Sequence, residues 1–226
     1  MSVNVVVVAD THSHSLPKIL EGYDADLLLI GGDWSYKATP QEIRNFTADL
    51  KAVRPQFKQI VWINGNHELG MEYNLAASYN VAEETNTIHL HNEEIELDFD
   101  GQKVRIWGSP ATPWFGGWAY NYQRGKEIAE IWKNIPEGLG ILLVHGPVHG
   151  CLDYLPWSEE RVGCEELRKK IDSMDAPPKV ICHGHVHIGY GSRQLATEKG
   201  HIVQIHNAAI CTERYDPTNL PIRFYL

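Results

Sequence analysis

The sequence predicts an α/β protein built on two mixed β-sheets with helices outside both. Short apolar runs, such as residues 3–9, are typical of buried strands. Segments with helical spacing, such as residues 40–53, separate these runs and favour parallel strands joined by helices. Polar blocks directly follow five of the strands, where the functional crevice of an α/β sheet is expected.

The first half of the chain alternates strands and helices. Thr39 and Glu42 are placed as a capping box, and Pro40 stands at the first helical position. Apolar residues then recur at helical spacing up to Val53, and Pro55 follows the helix end. In order, the patterns predict strand 3–9, strand 27–30, helix 40–53, strand 59–63 and a short helix at 71–82.

The second half repeats this theme after a hairpin and a loop. Asp100 and Gly101 are a turn signal between the alternating residues 95–99 and a strand at 104–107. Residues 110–122 form an aromatic loop that either packs in the core or lines a substrate site. The patterns then predict helix 124–135, strand 140–144, helix 158–172 and strands 179–182, 201–206 and 221–226.

Composition restricts the class of protein. A length of 226 residues suits one domain spanning residues 1–226. The net charge of −9 and the lack of a basic face argue against stable nucleic-acid binding. The four cysteines show no framework spacing, which favours a reduced, cytoplasmic protein. The oligomeric state stays open, with a homodimer as one candidate.

No segment of the sequence indicates a membrane or secretory signal. Residues 1–4 carry no basic region and lead into the first strand, so a cleaved signal peptide is not expected. No apolar run is long enough to span a bilayer, and we therefore expect no membrane partner.

The five polar blocks carry oxygen and imidazole groups that suit metal ions. Residues two apart on an extended segment share a face, so Asp10 and His12 can reach one ion, as can His185 and His187. Five of the 12 histidines lie in these blocks. The candidate ligands are Asp10, His12, Asp33, Asn66, His145, His185 and His187.

Seven ligands are too many for one tetrahedral ion and suit two ions that share a bridge. Mixed histidine, carboxylate and amide ligation without cysteine favours Mn, Fe or Zn. A carboxylate has two oxygens, so Asp33 could bridge. Two such ions would leave a positive pocket in an acidic protein, and a phosphate-like anion is the expected substrate.

Other residues near the blocks have simpler interpretations beside the functional one. Glu68 is not needed as a ligand and could orient a neighbour. His14 and His149 flank the blocks and are candidate substrate contacts, although such histidines more often lie at the surface. The candidates for stacking a nucleobase are Trp114, Phe115, Trp118 and Tyr120.

Motifs along nearly the whole chain resemble the calcineurin-like metallophosphoesterases, and within them the metallophosphoesterase-domain (MPPED) proteins. The blocks Asp-Thr-His-Ser at 10–13 and Gly-Asn-His-Glu-Leu at 65–69 indicate the superfamily. The narrower resemblance is carried by residues 108–110, 113–115, 117–118, 135–138, 145–147, 161–164, 189–191 and 217–219.

The resemblance implies a four-layer α/β/β/α sandwich and a metal-dependent phosphodiesterase. It implies one ion at Asp10, His12, Asp33 and His187, and a second at Asp33, Asn66, His145 and His185. It also implies that His67 protonates the leaving oxygen or stabilises the transition state, while a water bridging the ions attacks phosphorus in line. Small phosphodiesters or nucleotides, including cyclic nucleotides, are the implied substrates.

Three alternatives stay open. A phosphomonoesterase of the same superfamily is the first, although the Asp-Arg-Gly of protein phosphatases is absent, since Asp33 is followed by Trp34 and Ser35. A nuclease is the second, and the acidic composition disfavours it. A non-catalytic scaffold is the third, and such a protein would be expected to have lost metal ligands.

Overall fold

Strands and helices alternate along residues 2–226, the part of the chain that the computed structural model describes. The first half contains β1 Asn4–Val8, α1 Leu16–Ile19, β2 Ala25–Gly31, α2 Pro40–Val53, β3 Phe57–Ile63, α3 Leu69–Glu72, α4 Leu75–Thr85, β4 Ile88–His89, β5 Glu93–Phe99 and β6 Gln102–Ser109. The second half contains β7 Thr112–Pro113, β8 Asn121–Tyr122, α5 Lys126–Trp132, β9 Ile141–Val144, β10 Tyr154–Leu155, β11 Glu160–Arg161, α6 Glu165–Ser173, β12 Val180–His183, β13 Gly191–Ala196, β14 Ile202–Asn207 and β15 Ile222–Tyr225.

Two large sheets organise these elements. The first has the order β15-β1-β2-β3-β4, in which β1 to β4 are parallel and β15 is antiparallel at the edge. The second has the order β13-β14-β12-β9-β6-β5, with β14, β12, β9 and β6 parallel between two antiparallel edge strands. Both sheets are therefore mixed, as the sequence predicts.

Alternation along the buried strands determines the layers. Val5 and Val7 belong to the core between the two sheets, together with Leu143 of the second sheet. Val6 and Val8 point to the opposite face of β1 and pack with α1, α2 and α4. A third core joins the outer face of the second sheet to α5 and α6. Because side chains alternate with a period of two, each sheet contributes to two cores, and the four-layer α/β/β/α sandwich is confirmed.

One predicted helix begins later than expected. The sequence pattern predicts a helix over 158–172, whereas α6 covers Glu165–Ser173. Glu160–Arg161 instead pairs with Tyr154–Leu155 as a short antiparallel hairpin. The guanidinium of Arg161 donates to the buried carboxylate of Asp153 at 2.7 Å, which anchors the hairpin. This partner lies outside the helical segment, so the local pattern could not reveal it.

A buried histidine makes the fold sensitive to acid. His89 is 4% exposed, it packs on Trp62, and neither ring nitrogen has a hydrogen-bond partner among the described residues. Burial, with a smaller contribution from His91, lowers the pKa of His89 from 6.5 to about 3. Between these values the unfolded chain binds a proton that the folded chain does not, so stability is retained above pH 6.5 and falls below it.

We therefore expect His89→Leu to lessen the acid destabilisation of the metal-free protein. Between pH 7 and pH 5 the wild type should lose roughly 2 kcal/mol through this residue alone, and the variant should not. Urea unfolding at both pH values in the presence of EDTA measures the difference. His201→Gln, outside the buried cores, controls for histidine number, and an unchanged pH dependence in His89→Leu would contradict the prediction.

Candidate metal centre

The polar blocks lie at one edge of both sheets, beyond the carboxyl ends of parallel strands. Asp10, Asp33 and Asn66 follow β1, β2 and β3 of the first sheet. His145 and His185 follow β9 and β12 of the second sheet. Parallel strands end at the same edge, so residues more than 170 positions apart in the chain, such as Asp10 and His185, come into contact there.

The first group of ligand atoms comprises Asp10, His12 and His187, all within 4.8 Å of one another. The Nε2 atoms of His12 and His187 are 3.2 Å apart, and Nε2 of His187 lies 3.4 Å from Oδ1 of Asp10. Nδ1 of His187 lies 2.9 Å from the carbonyl oxygen of Thr212. A carbonyl only accepts, so Nδ1 donates, and Nε2 is the atom that can coordinate an ion once an ion displaces its proton.

The second group comprises Asp33, His145 and His185, with Asn66 beside them. Oδ1 of Asn66 lies 2.9 Å from Nε2 of His145 and 2.8 Å from Nδ1 of His185. Nδ1 of His145 donates to the carbonyl oxygen of Gly31 at 2.8 Å, which orients its Nε2 towards Asn66. Several electron-pair donors thus converge on one point.

Asp33 lies between the two groups. Its carboxylate is within reach of His145 and His185, and it also forms a ligand group with His12 and His67. Oδ2 of Asp33 is 3.2 Å from Nε2 of His145, while Oδ1 accepts the backbone N–H of His67 at 2.8 Å. This position is the one that a bridging ligand requires.

The backbone at these residues is strained. Asp10, His12, Asp33 and His185 have φ angles of 51°, 41°, 52° and 68°, in the left-handed region that side-chain-bearing residues seldom adopt. Such conformations cost about 1–3 kcal/mol each and persist where the surrounding structure holds them, often at functional sites.

Two glycines allow the carboxylates to approach the neighbouring loops. A Cβ atom at Gly65 would collide with Oδ1 of Asp33, and one at Gly184 would collide with Oδ2 of Asp10. Any larger residue at either position would displace a candidate ligand. The geometry of the centre therefore requires glycine at both positions, in addition to the polar residues.

Charge pairs balance the buried carboxylates. Burial opposes ionisation of Asp10 and Asp33, but His187 and His145 respectively outweigh it and lower the pKa of each carboxyl. Burial likewise opposes protonation of the two histidines, yet the same carboxylates raise the pKa of His145 and of His187 to about 9. Both pairs are ionic at neutral pH in the metal-free protein.

The donor chemistry fits hard or borderline metal ions. Burial lowers the pKa of His12 to about 4 and that of His185 to about 3, so both imidazoles are neutral and can coordinate an ion. His12 also keeps a buried Nδ1 without a partner among the described residues. The candidate groups formed by residues 2–226 contain carboxylate and imidazole but no thiolate, as the sequence suggests for Mn, Fe or Zn.

Glu68 joins two of the loops, which agrees with an orienting role. Its carboxylate accepts the backbone N–H groups of Asp33, Ser35 and Gly65 at 2.9, 3.0 and 2.6 Å. It also accepts the hydroxyl of Ser35 at 2.9 Å. Burial, reinforced by the charge of Asp33, raises its pKa well above the ordinary value.

His67 is held at the mouth of the centre. Its Nδ1 lies 3.0 Å from the carbonyl oxygen of Tyr36 and donates to it, which leaves Nε2 for other contacts. Its ring stacks on Trp118 with centroids 4.4 Å apart and meets His12 edge-on at 4.6 Å. Three neighbours thus orient a side chain that is also close enough to reach an ion.

A cavity of about 410 Å³ opens over the centre. Its floor is polar and includes Asp33, Asn66 and His67. Its wall is mostly apolar, with the side chains Pro113, Phe115, Trp118, Leu155, Trp157, Val162, Val186 and Tyr215. With metal ions held at its floor, the cavity would match a ligand that combines an anionic group with an apolar body.

A family model described as calcineurin-like phosphoesterase matches residues 3–189. The chain belongs to this family. The phosphoesterase is 34% identical to human metallophosphoesterase domain-containing protein 1 over 96% of its chain and 69% of that protein. A UPF0046 protein of Caenorhabditis elegans is 28% identical over 98% of the chain and 59% of its own length. The resemblance to MPPED proteins is confirmed, and the protein is a metal-dependent phosphoesterase.

Solved structures agree with this fold. Phosphopantetheinyl hydrolase from Mycobacterium tuberculosis matches with a TM-score of 0.61 over 94% of this chain and 90% of that chain, at 14% identity. A likeness at this identity extends to the fold alone. Among residues 2–226, no helix has the length and apolarity needed to cross a bilayer.

The phosphoesterase cavity includes only part of the predicted substrate-binding set. Phe115 and Trp118 line it, whereas Trp114, His14 and His149 lie outside its lining. Trp114 is 52% exposed, because the loop turns its side chain outwards. These three residues therefore do not contact the cavity over the metal centre.

Tyr120 has a structural role instead of the proposed base contact. Its side chain is 3% exposed, and its hydroxyl accepts the side-chain amide of Asn64 at 3.0 Å. The aromatic loop consequently serves both purposes that the sequence left open, since Tyr120 packs inside while Phe115 and Trp118 face the cavity.

Sequence reasoning missed several cavity residues of the phosphoesterase, among them Arg124, Trp157 and Tyr215. Arg124 belongs to the segment 124–135, predicted as a helix, and Trp157 stands just before the predicted helix 158–172. Tyr215 belongs to none of the sequence motifs that indicated a site. The sequence signal that could have indicated Trp157 as a site residue is a large apolar side chain directly after Pro156. In the structure this side chain is 65% exposed.

Proposed function

We propose that this phosphoesterase hydrolyses phosphodiesters with two metal ions. One ion would be held by Asp10, His12, Asp33 and His187, and the other by Asp33, Asn66, His145 and His185. The observation that carries the proposal is the position of Asp33 between two convergent ligand groups at the floor of a largely apolar cavity. Ligands come from both sheets, which supports treating residues 1–226 as one domain.

When bound, such ions supply Lewis acidity towards phosphoryl oxygens and lower the pKa of coordinated water. The chain supplies the positions. Hydrogen bonds from Nδ1 of His145 to Gly31 and of His187 to Thr212 hold the rings for coordination through Nε2. Glu68 holds the loop of Asp33 through its backbone N–H.

We propose that His67 donates a proton to the leaving group. Its Nδ1 is occupied by the carbonyl of Tyr36, so a proton on Nε2 is the one that it can transfer. The ring lies beside His12, one of the proposed ligands, and lines the substrate cavity. A histidine so placed can act as general acid for an alkoxide leaving group.

The cavity favours a diester over a monoester. A monoester presents one organic group, whereas the apolar wall offers Phe115 and Trp118 from one loop and Leu155 and Trp157 from a separate hairpin. Aromatic side chains on the first loop support nucleotide phosphodiesters, with cyclic nucleotides as candidates. Manganese, iron or zinc as the ions, a cytoplasmic location and a homodimer stay predictions.

A hydrolysis screen tests the proposal. Apo-protein is loaded with Mn, Fe or Zn and given bis(p-nitrophenyl) phosphate, p-nitrophenyl phosphate and a set of linear and cyclic nucleotides. We expect a higher kcat/KM for the diester than for the monoester, and none for Asp33→Asn. A preference for the monoester would favour the phosphomonoesterase alternative, and metal-loaded protein without any turnover would favour the scaffold.

Stacking on Phe115 gives a second test of the nucleotide assignment. Phe115 lines the cavity and its ring meets that of His185 at 4.9 Å. A stacked base is worth ~1–3 kcal/mol, so Phe115→Ala should raise KM for a cyclic nucleotide roughly tenfold. KM for a small alkyl aryl phosphodiester should change less.

Trp114→Ala is the matched control, because it removes a neighbouring aromatic side chain that lies outside the cavity lining. We expect its KM values to stay near those of the wild type. Equal KM increases in both variants would mean that the loop conformation matters and that Phe115 makes no specific base contact.

A further inference from the structure

A loop near the end of the chain contacts the proposed metal ligands. We call residues 211–219 the C-terminal loop, and they lie beyond residues 3–189 that the family model matches. The carbonyl of Thr212 accepts Nδ1 of His187 at 2.9 Å and the backbone N–H of Tyr215 at 2.8 Å. Cys211 and Pro217 form an antiparallel bridge that closes the loop. The conformation of the C-terminal loop is thus coupled to the position of His187, a proposed metal ligand.

Tyr215 places its aromatic ring against two of the proposed metal ligands and lines the cavity. Its ring meets that of His12 edge-on at 4.7 Å and that of His187 at 5.6 Å, and it lines the same cavity as Asp33 and His67. Its side chain has no hydrogen-bond partner for the hydroxyl among residues 2–226, whereas Tyr79, Tyr120 and Tyr190 each use theirs. A half-exposed phenol beside the centre therefore has a free donor.

His14, predicted from sequence as a substrate contact, acts on this residue instead. Its Nε2 lies 2.9 Å from the carbonyl oxygen of Tyr215, and since a carbonyl only accepts, the ring donates. Tyr215 has a φ of 62°, a left-handed conformation that its neighbours must stabilise. The bond from His14 ties this strained residue to the loop that follows β1, which also carries Asp10 and His12.

We propose that the Tyr215 hydroxyl donates a hydrogen bond to a non-bridging phosphoryl oxygen of the substrate, and that His14 positions Tyr215 for this contact. The inference rests on the proposed phosphodiesterase function and assigns a substrate contact within it. The ring of Tyr215 lies against His12 and His187, so a phosphoryl group bound to ions at these proposed ligands would be close to its hydroxyl. Among residues 2–226 the hydroxyl makes no hydrogen bond, although the carboxylate of Glu213 lines the same cavity.

The expected contribution is to the reaction rate. Charge on the phosphoryl oxygens is redistributed in the transition state, and donors that are already oriented stabilise it without reorganisation. A purely structural role would differ, because the ring would then only support His12 and His187. Loss of the hydroxyl alone would leave that support intact, which makes Tyr215→Phe the informative variant.

The experiment compares Tyr215→Phe with the wild type, both loaded with Mn. Turnover of bis(p-nitrophenyl) phosphate should show a fall in kcat/KM of between about 10-fold and 10²-fold, the range expected for a hydrogen bond to a charged group. Elemental analysis should find the same metal content. Calorimetric titration with orthophosphate, which needs no turnover, should show about tenfold weaker binding.

A double-mutant cycle tests the part of His14. His14→Leu should lower kcat/KM in the same direction as Tyr215→Phe but by less. In the Tyr215→Phe background it should have little further effect, because its contribution passes through the hydroxyl. Fully additive losses would show that His14 acts elsewhere and would overturn its positioning role.

Other outcomes decide the remaining points. Wild-type kcat/KM and orthophosphate affinity in Tyr215→Phe would overturn the contact, and so would a loss of metal that accounts for the lower rate. If the wild type hydrolyses no phosphodiester, the proposed function fails, and the orthophosphate titration still tests Tyr215 separately. In that case, weaker orthophosphate binding by Tyr215→Phe than by the wild type would still support the contact between Tyr215 and phosphate, although the protein would not be a phosphodiesterase.

Discussion

Asp33→Ala is expected to abolish phosphoester hydrolysis and to remove most of the bound metal together. Asp33 reaches His145 and His185 on one side and His12 on the other, so we assign it to both ions. Residues that merely orient ligands typically contribute 10–100-fold to metal affinity or activity, and loss of a shared ligand should exceed about 100-fold. Elemental analysis and turnover of an aryl phosphodiester measure the two losses.

Two controls separate metal loss from misfolding. Asp33→Asn keeps an oxygen that can accept the backbone N–H of His67 and should fold while still losing metal. Asp49→Asn alters another carboxylate that accepts one backbone N–H, that of Leu16 at 2.9 Å, away from the ligand groups. We expect it to retain full activity. Two tightly bound metals in folded Asp33→Ala would exclude a bridging role for this residue.

His67→Ala is expected to retain its metals and lose roughly 10²–10⁴ in rate, the usual contribution of general acid catalysis. The loss should be largest for alkoxide leaving groups, which need a proton, and smaller for nitrophenolate, which does not. Rates for a pair of phosphodiesters that differ only in the leaving group, together with metal analysis, provide the measurement.

The metal analysis matters because His67 lies in a ligand group with His12 and Asp33. A variant that loses metal would place His67 among the ligands, and equal rate losses for both leaving groups would point to a structural or electrostatic role. His149→Ala is the control, since this half-buried histidine does not line the cavity, and its rates should match the wild type.

The amino-acid sequence was sufficient for the layers and for the candidate metal ligands. Strand alternation at Val5 to Val8 places side chains in two cores, and this depends only on a local period of two. Asp10 and His145 each follow a buried parallel strand, and the ends of such strands meet at one edge. A local pattern therefore predicted contacts between residues far apart in the chain.

The cavity walls depend on tertiary contacts that no local pattern contains. Trp114 and Phe115 are adjacent and equally aromatic, yet only Phe115 lines the cavity, because the packing of the whole loop decides which side chain turns inwards. The start of α6 likewise depends on a hairpin held by Arg161 and the distant Asp153. Composition could not distinguish these outcomes.

What the sequence determined by itself is the strand-end chemistry: the oxygens and imidazoles, their order, and the family to which the chain belongs. Only the tertiary structure brought Tyr215 against His12 and turned His14 from the cavity to the carbonyl of Tyr215. The physical reason is that strand ends are positioned by a repeating backbone geometry. Loop side chains, in contrast, are positioned by single long-range hydrogen bonds and packing contacts, which short segments of sequence do not encode.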